Sequence, residues 1–535
     1  MLYRGRVLRR SALALASGAV LVLAFPAYGL WWLAPVAVAG FALATTGVRV
    51  RDGAWLGLLT GLAFFAPTLS WAGTDFLGVV PWLGLAALQA LFISALGAVG
   101  AGVQGSGVSP LAVALSWVGS EALRDRIPYG GFPWVRLAFS QADAPSGRLA
   151  ALGGAPMVTF AVALTGGLLA MGIRYAAEPG PSSGRAGQAS RKPNHRPGPG
   201  QARGGRYAVA GFALAGCLVV IGWAVPVPTE GPTARVMAVQ GNVPRPGLDF
   251  NAERRQVLDN HVEATLAGLA AARAAGEPDP ELVVWPENAS DIDPTRNADA
   301  EAQIRRATDV AGVPVVIGGL LDEPAPLISN VSLMYRPGVG LVQTYVKQHP
   351  VPFAEYIPDR AFFRRFSASV DLVRNELAAG PGPGVFHVDR GSGSPPLEAG
   401  ATICFEVAYD ELVRGTVRAG ANLLLVQTNN ATFGYSHESQ QQLAISRIRA
   451  IEHGRAVVHV STVGVSALVW PDGTVRQLTA LYTAATLRGD LPLRTATTLA
   501  TRLGPWPEYV AGVALLLMVA RALVRRRTER TPSSP

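Results

Sequence analysis

Three short stretches carry residue types that can do covalent chemistry: Val284-Trp285-Pro286-Glu287-Asn288, Tyr345-Val346-Lys347-Gln348-His349-Pro350 and Thr402-Ile403-Cys404-Phe405-Glu406. Cys404 is the cysteine outside an apolar span, since Cys217 lies inside one. A deprotonated thiol is a strong nucleophile and forms thioesters with acyl groups. A carboxylate of raised pKa, such as Glu287, can accept its proton and later hand it to a leaving group. A lysine ammonium, such as that of Lys347, can stabilise a tetrahedral oxyanion alongside a backbone N–H such as that of Phe405.

The surrounding pattern must supply elements to hold these groups. Cys404 follows a β-like run, Glu398 to Ile403, and precedes a helix-like one, Tyr409 to Ala419. A thiol at such an elbow is expected to be exposed, with nearby N–H groups able to steady an anion. Glu287 ends the hydrophobic strand Leu282 to Trp285, where a rim-of-sheet site would place it. Lys347 lies just beyond another β-like run, Leu341 to Val346. The gaps between the three are long and carry no geometric information. Alone, each has an ordinary reading: a solvated carboxylate, a surface charge, a buried inert thiol. Local motifs must decide.

The chain has 535 residues, 49% hydrophobic and 16% charged, with a formal net charge of +9. The apolar content crowds into the first 230 residues and one C-terminal segment. This reads as a polytopic membrane protein with an α/β domain spliced in. After a basic leader, spans are expected at about 11–24, 30–46, 53–72, 80–101, 108–123, 153–173, 207–225 and 508–524, each near the ~20 residues that cross a bilayer. The span 108–123 is the one crowded by charge, from Glu121 and Arg124. No small-residue cleavage site marks the first span as a signal peptide, so it reads as retained. With eight spans, the N-terminus, the Arg49-Val50-Arg51 turn, the 174–206 loop and the Arg521 to Arg530 tail fall on one side. All are basic, which makes that side the cytoplasm and puts residues 229–505 outside. The 174–206 loop, with seven Lys/Arg against one Glu, reads as a flexible linker; it lacks interleaved aromatics, so no nucleic-acid partner is expected. Near span 108–123, Trp117, Glu121, Arg124 and Gly131-Phe132-Pro133-Trp134 read either as an interfacial belt with a charge pair or as a lipid-facing portal.

Residues 229–505 alternate β-rich runs (235–239, 282–285, 313–317, 422–426, 456–461, 466–470) with helical ones (251–274, 298–310, 438–453), the first helix capped by Asn251. Other constellations fail. His437-Glu438-Ser439-Gln440-Gln441 lacks the second histidine of a zinc helix, no phosphate loop is present, and no metal or cofactor is expected. A Cys404–His437 dyad would leave Lys347 and Glu287 unexplained. His349 reads as a structural hydrogen bonder. Two cysteines at such different depths imply no disulfide.

Residues 229–505 resemble the carbon–nitrogen hydrolase (nitrilase) superfamily, whose site is a Glu–Lys–Cys triad on an α-β-β-α sandwich. Its glutamate signature stands as Val284 to Glu287, its lysine signature as Tyr345 to Pro358, and its cysteine signature as Ile403 to Glu406, in the superfamily's chain order. Nearly the whole chain resembles the membrane-embedded branch, the apolipoprotein N-acyltransferase family, with eight helices and the sandwich inserted before the eighth. Further matches are Trp117/Glu121/Arg124, Gly131 to Trp134, Gln240-Gly241-Asn242, Ser329-Asn330 and Arg447 to Glu452. Departures are Ala354 where Gly is common, Phe405 where Tyr is common and Thr432 where Trp is common.

The resemblance implies a division into 1–228 (helices 1–7), 229–505 (extracytoplasmic catalytic domain) and 506–535 (helix 8 and a basic cytoplasmic tail). It implies a bacterial inner-membrane enzyme, both termini cytoplasmic, working as a monomer. Catalysis would rest on Glu287, Lys347 and Cys404. Glu355 would hold the Lys347 charge, and Glu406, with Phe405, would position substrate or loop. The acyl donor would be a membrane phospholipid and the acceptor the α-amino group of a lipoprotein's diacylglyceryl-cysteine. A diacyl lipid with roughly 30 CH₂ groups, at ~0.8 kcal/mol each, does not visit an aqueous site freely. The site must therefore sit at the bilayer surface, where Ala361 to Phe366 would serve as a lid or as a packed loop. Two rivals are a membrane-tethered amidase releasing its acyl group to water and a non-catalytic lipid or lipoprotein binder.

Overall fold

A long apolar stretch in lipid satisfies its backbone by closing hydrogen bonds within itself, and the first 230 residues fold accordingly into helices. The structure is a computed structural model that describes residues 2–73, 78–105, 107–177, 199–243, 253–365, 370–371, 373–391 and 393–528. Most of the basic 174–206 loop, the Asn251 cap, Phe366 and the end of the C-terminal tail lie outside the described residues.

The helices are α1 (Leu2–Ala24), α2 (Leu33–Thr45), α3 (Val50–Thr68), α4 (Val79–Gln104), α5 (Pro110–Arg124), α6 (Ala150–Ala177) and α7 (Pro199–Val220). Among the described residues, five helical stretches are long and apolar enough to cross a membrane: Gly5–Ala24, Val79–Gln104, Pro145–Ala177, Gly205–Ala224 and Trp506–Thr528. At 13 and 15 residues, α2 and α5 fall short of the expected length. Pro110 fixes the start of α5, and its last turns carry Glu121 and Arg124, both buried in protein. Along α3, Gly53, Gly57 and Gly61 face α4; a Cβ on Gly57 would overlap the Ile93 carbonyl, and one on Gly53 that of Gly97. The two backbones are therefore in contact, as small residues permit where no hydrophobic effect drives helices together.

Basic segments gather at one end of the bundle. Arg10 near the start of α1 donates to the carbonyls of Ala44 (2.9 Å) and Thr46 (2.8 Å) at the end of α2. Gly47 N donates to Gly105 O (2.9 Å) just after α4. Arg526, near the end of the last helix, donates to Gly102 O (3.0 Å).

The α/β part follows: β1 (Thr233–Gln240), α8 (Arg254–Ala274), β2 (Leu282–Val284), α9 (Ala298–Ala311), β3 (Val315–Leu321), β4 (Ser329–Arg336), β5 (Gly340–Val346), α10 (Arg360–Phe363), β6 (Gly384–Val388), β7 (Leu397–Ile403), α11 (Asp410–Arg418), β8 (Leu423–Thr428), α12 (Glu438–His453), β9 (Ala456–Ser461), β10 (Ala467–Val469), β11 (Val475–Leu478) and β12 (Ala485–Pro492). After α13 (Leu499–Leu503) the chain enters α14 (Trp506–Thr528). The strands form two six-stranded sheets, ordered β12-β1-β2-β3-β4-β5 and β11-β10-β9-β8-β7-β6.

Period-two alternation explains the layers. Leu282 and Val284 of β2 meet Ala399, Ala401 and Ile403 of β7 in the core between the sheets. Val283 and Trp285 point the other way, under α8 and α9. On the outer face of the second sheet, Val413 and Val417 of α11 and Ile445, Ile448 and Ile451 of α12 share one core with Phe25, Phe41, Trp117, Phe139 and Ala163 of the helical bundle. The result is an α-β-β-α sandwich whose second helix layer is packed between a sheet and the bundle.

Candidate active site

Glu287, Lys347 and Cys404 each stand just beyond the C-terminal end of a strand, β2, β5 and β7 respectively. Register brings these ends together. β7, β8 and β9 run parallel, and β5 is tied through β4 and β3 to β2. Gln427 of β8 crosses between sheets, donating to Trp285 O (2.7 Å) and accepting from Ser332 of β4 (2.5 Å).

Lys347 Nζ lies 3.3 Å from Glu287 Oε1 and 2.6 Å from Glu355 Oε1. The other Glu355 oxygen accepts from Val351 N at 2.7 Å. Glu287 also accepts from Asn330 Nδ2 (2.7 Å) and Asn429 N (2.8 Å). Cys404 sits at φ 55°, a conformation that few non-glycine residues adopt. Its sulfur accepts from Gln442 Nε2 at 3.6 Å, and the Thr428 hydroxyl lies at the same distance from it. The thiol is not exposed as the elbow suggested: the residue is partly buried and its surroundings are dense.

The charges work on one another. Burial pushes the Cys404 thiol well up; Glu287 adds to that, while Lys347 and the Thr428 hydroxyl pull it down. Burial also raises Glu287, opposed by Lys347. Burial disfavours the Lys347 charge, but Glu355 and Glu287 outweigh it and hold the ammonium well above its ordinary value. A thiol beside a carboxyl of raised basicity and a permanent ammonium is a set that can deprotonate, attack a carbonyl and stabilise the oxyanion.

Glu406 is fully buried and faces protein backbone. It accepts from Ile403 N (2.7 Å), Gln348 N (2.6 Å), His349 N (3.1 Å) and the Tyr345 hydroxyl (2.9 and 3.0 Å). One carboxylate thus clamps the lysine loop onto the cysteine turn. His349, read from the sequence as a structural hydrogen bonder, takes part through its backbone N–H, and its Nε2 has no hydrogen-bond partner among the described residues. Phe405 turns toward the bundle and stacks on Trp134 (5.2 Å, 6° between planes). Trp134 and Trp71 both donate to Gln441 Oε1, at 2.8 and 3.1 Å.

The Glu121/Arg124 pair serves this wall. Arg124 donates to the carbonyls of Trp134 (2.7 Å) and Phe132 (3.3 Å), and Glu121 accepts from Leu137 N (2.8 Å) and Thr159 (2.7 Å). Both are buried, so the belt and portal readings of this charge pair give way to a scaffold for the 132–137 loop. In the 361–365 stretch, Phe363 packs edge-on against Phe353 at 4.8 Å. Among the described residues, no group of three His, Cys, Asp or Glu is arranged to hold a metal ion.

Comparison with known proteins places the chain in a family. Residues 17–168 match the sequence model of the apolipoprotein N-acyltransferase N-terminal domain, and residues 235–500 match that of the carbon–nitrogen hydrolases. An apolipoprotein N-acyltransferase from Mycolicibacterium smegmatis is 38% identical over 97% of this chain and 87% of its own. One from Azotobacter vinelandii is 32% identical over 98% and 96%. The chain belongs to the apolipoprotein N-acyltransferase family. An amidase of the nitrilase superfamily from Nesterenkonia AN1 is similar over 50% of this chain and 93% of its own, at 18% identity and a TM-score of 0.36.

Within this acyltransferase chain, the residues that sequence reasoning gave no role are the polar partners: Asn330, Thr428, Asn429, Asn430, Gln441 and Gln442. Their signal is polarity in buried or half-buried surroundings, as in the buried Gln441 and Gln442 on a helix packed on both sides. Glu438 belongs with them: it is buried and accepts from Asn430 Nδ2 at 2.6 Å. Burial raises its pKa from 4.5 to about 8. A folded-state value above the unfolded one means that the bound proton stabilises the fold fully below about pH 4.5, and that this is lost as pH climbs to about 8. Glu438→Gln keeps the acceptor and removes the titration. The variant should match wild type near pH 4.5 and exceed it at pH 8, by on the order of a few kcal/mol, in thermal unfolding at both pH values. Equal differences at the two pH values would reject this assignment.

Proposed function

We propose that this chain N-acylates lipoproteins by a ping-pong route through Cys404. Glu287 takes the thiol proton, and the thiolate attacks the ester carbonyl of a membrane phospholipid. Lys347, with the Phe405 backbone N–H, stabilises the oxyanion. Collapse breaks the ester bond, and Glu287 protonates the leaving lysophospholipid. The α-amino group of a diacylglyceryl-cysteine then attacks the thioester and gives up a proton to Glu287. The second collapse releases the thiolate, which recovers that proton, and leaves an amide. Glu355 holds Lys347 charged throughout; Glu406 and Phe405 position the turn. The observation that carries the reading is Lys347 Nζ held between two carboxylates, the buried Glu287 and the part-buried Glu355, beside the thiol.

The reading extends to topology. α1 to α7 and α14 span a bacterial plasma membrane, with the 229–505 region outside and both termini in the cytoplasm. The clustering of Arg10, the α2–α3 turn and the α14 end at one side supports this orientation. A single copy suffices, since all three reactive groups come from one chain.

The test is the intact mass of purified protein incubated with phospholipid and no acceptor. A fatty-acyl adduct that hydroxylamine removes should form, and Cys404→Ala should never show it. A diacylglyceryl-cysteine peptide should then take the acyl group on its amine. Transfer to water alone would make the enzyme a hydrolase, and a folded, lipid-bound protein with no adduct would make it a binding protein.

A further inference from the structure

The sulfur of Cys404 terminates a hydrogen-bond relay whose direction is fixed by the protein backbone. Gly464 N donates to Ser461 Oγ (2.8 Å), so that hydroxyl must turn its own proton elsewhere. It donates to Asn430 Oδ1 at 2.6 Å, which sets the Asn430 amide with its NH₂ on the opposite side. That NH₂ donates to Gln442 Oε1 at 3.0 Å, and Thr428 Oγ1 donates to the same oxygen at 2.7 Å. With Oε1 accepting twice, Nε2 is the end of Gln442 that faces Cys404 Sγ, at 3.6 Å. Gln442 is fully buried, so water does not compete for it.

We propose that Gln442 is a further catalytic residue, whose amide N–H stabilises the Cys404 thiolate at the end of a unidirectional relay from Gly464 through Ser461 and Asn430. The inference rests on the reading of Cys404 as the nucleophile. Every link polarises the next in the same sense, which strengthens the last donor. An N–H bonded to sulfur gains most when the sulfur is anionic, as it is before attack on the ester and after the second collapse releases it from the thioester. The Thr428 proton is taken up by the shorter bond to Gln442, leaving the amide as the relay's donor to the sulfur.

The test reads thiolate directly: the pH dependence of Cys404 alkylation by iodoacetamide in full-length protein in lipid nanodiscs, followed by intact mass. Gln442→Met removes the donor at nearly constant volume, and its alkylation midpoint should move up by about one pH unit, a tenfold loss of rate below the midpoint. Gln442→Glu keeps Oε1 as the acceptor for Asn430 and Thr428 and replaces the amide nitrogen with an oxygen; it should shift the same way and carries the test if the methionine variant unfolds. Gln442→His, which can return an N–H, should recover most of the shift. A packing role would lower thermal stability without moving the midpoint. Midpoints equal to wild type, in protein whose acyl adduct still depends on Cys404, would overturn the Gln442 assignment alone. An acyl adduct that persists in Cys404→Ala would overturn the reading beneath it.

Discussion

Replacing Lys347 with methionine is expected to slow acyl-enzyme formation by about a thousandfold, the scale on which losing one oxyanion donor is felt in a water-excluded site. Stability should fall with it. The ammonium is 1% exposed and bridges Glu287 and Glu355, so its removal leaves the buried Glu287 carboxylate facing the part-buried Glu355 without a cation between them. Breaking a buried pair by deleting one partner costs about 3–5 kcal/mol. Because a proton on Glu287, whose pKa burial already raises, relieves the repulsion, the stability loss should shrink as pH is lowered, whereas a packing defect would persist. The adduct rate by intact mass and thermal unfolding at pH 5 and pH 8 check both parts. A variant that acylates within tenfold of wild type would remove Lys347 from the mechanism.

Arg449→Met should be nearly as damaging, although Arg449 touches none of the three reactive side chains. The guanidinium is fully buried. It donates to the carbonyls of Val407 (2.8 Å) and Ala408 (2.7 Å), to Asp410 (2.6 Å) and to Glu452 (2.5 Å). Val407 and Ala408 close the turn that begins at Cys404. Burial works against the Asp410 charge, but Arg136 and Arg449 hold its carboxyl well below the usual range. Arg136 reaches Asp410 at 2.9 and 3.0 Å and Glu121 of α5 at 3.4 Å. One ion network therefore fixes the cysteine turn to the helical bundle. Loss of Arg449 strands Glu452, leaves Asp410 to Arg136 alone, again about 3–5 kcal/mol, and frees the turn. Arg449→Lys should not rescue, because a single ammonium cannot reach four acceptors in one plane-like fork. Thermal unfolding and adduct rate should fall together; full activity in the lysine variant would show that the fork is dispensable.

Much of this was written locally in the chain. β9 and α12 lie where the alternation and the helical pattern put them, and β2, β3 and β8 within a few residues. Glu287, Lys347 and Cys404 were legible through the three local signatures that resemble the nitrilase superfamily; each also follows a β-like run, at the ends of β2 and β5 in one sheet and β7 in the other. Less could be read of what lies between them. β6, β11 and β12 are short or half-exposed and carry no clean alternation. The partial burial of Cys404 was missed because an elbow looks open until its surroundings are known; here the thiol packs against the core between the two sheets. Glu406 was read toward substrate or loop, and the structure turns it to loop backbone. Gln441 and Gln442 are neighbours on one helix, yet one serves two tryptophans and the other a sulfur. Only the surrounding shells reveal such a division.

The helix layer that α11 and α12 form packs its apolar side chains into one core with the bundle, and Glu411 and Arg418 of α11 stay exposed. Ile448 lies against the 145–149 segment of the bundle, where its Cδ1 stands 3.7 Å from the place a side chain on Gly147 would begin. In hereditary terms, the sandwich has given up its independence. A change of size at Ile448 must be answered some 300 positions earlier in the chain, and the two segments can be inherited or exchanged only as a pair.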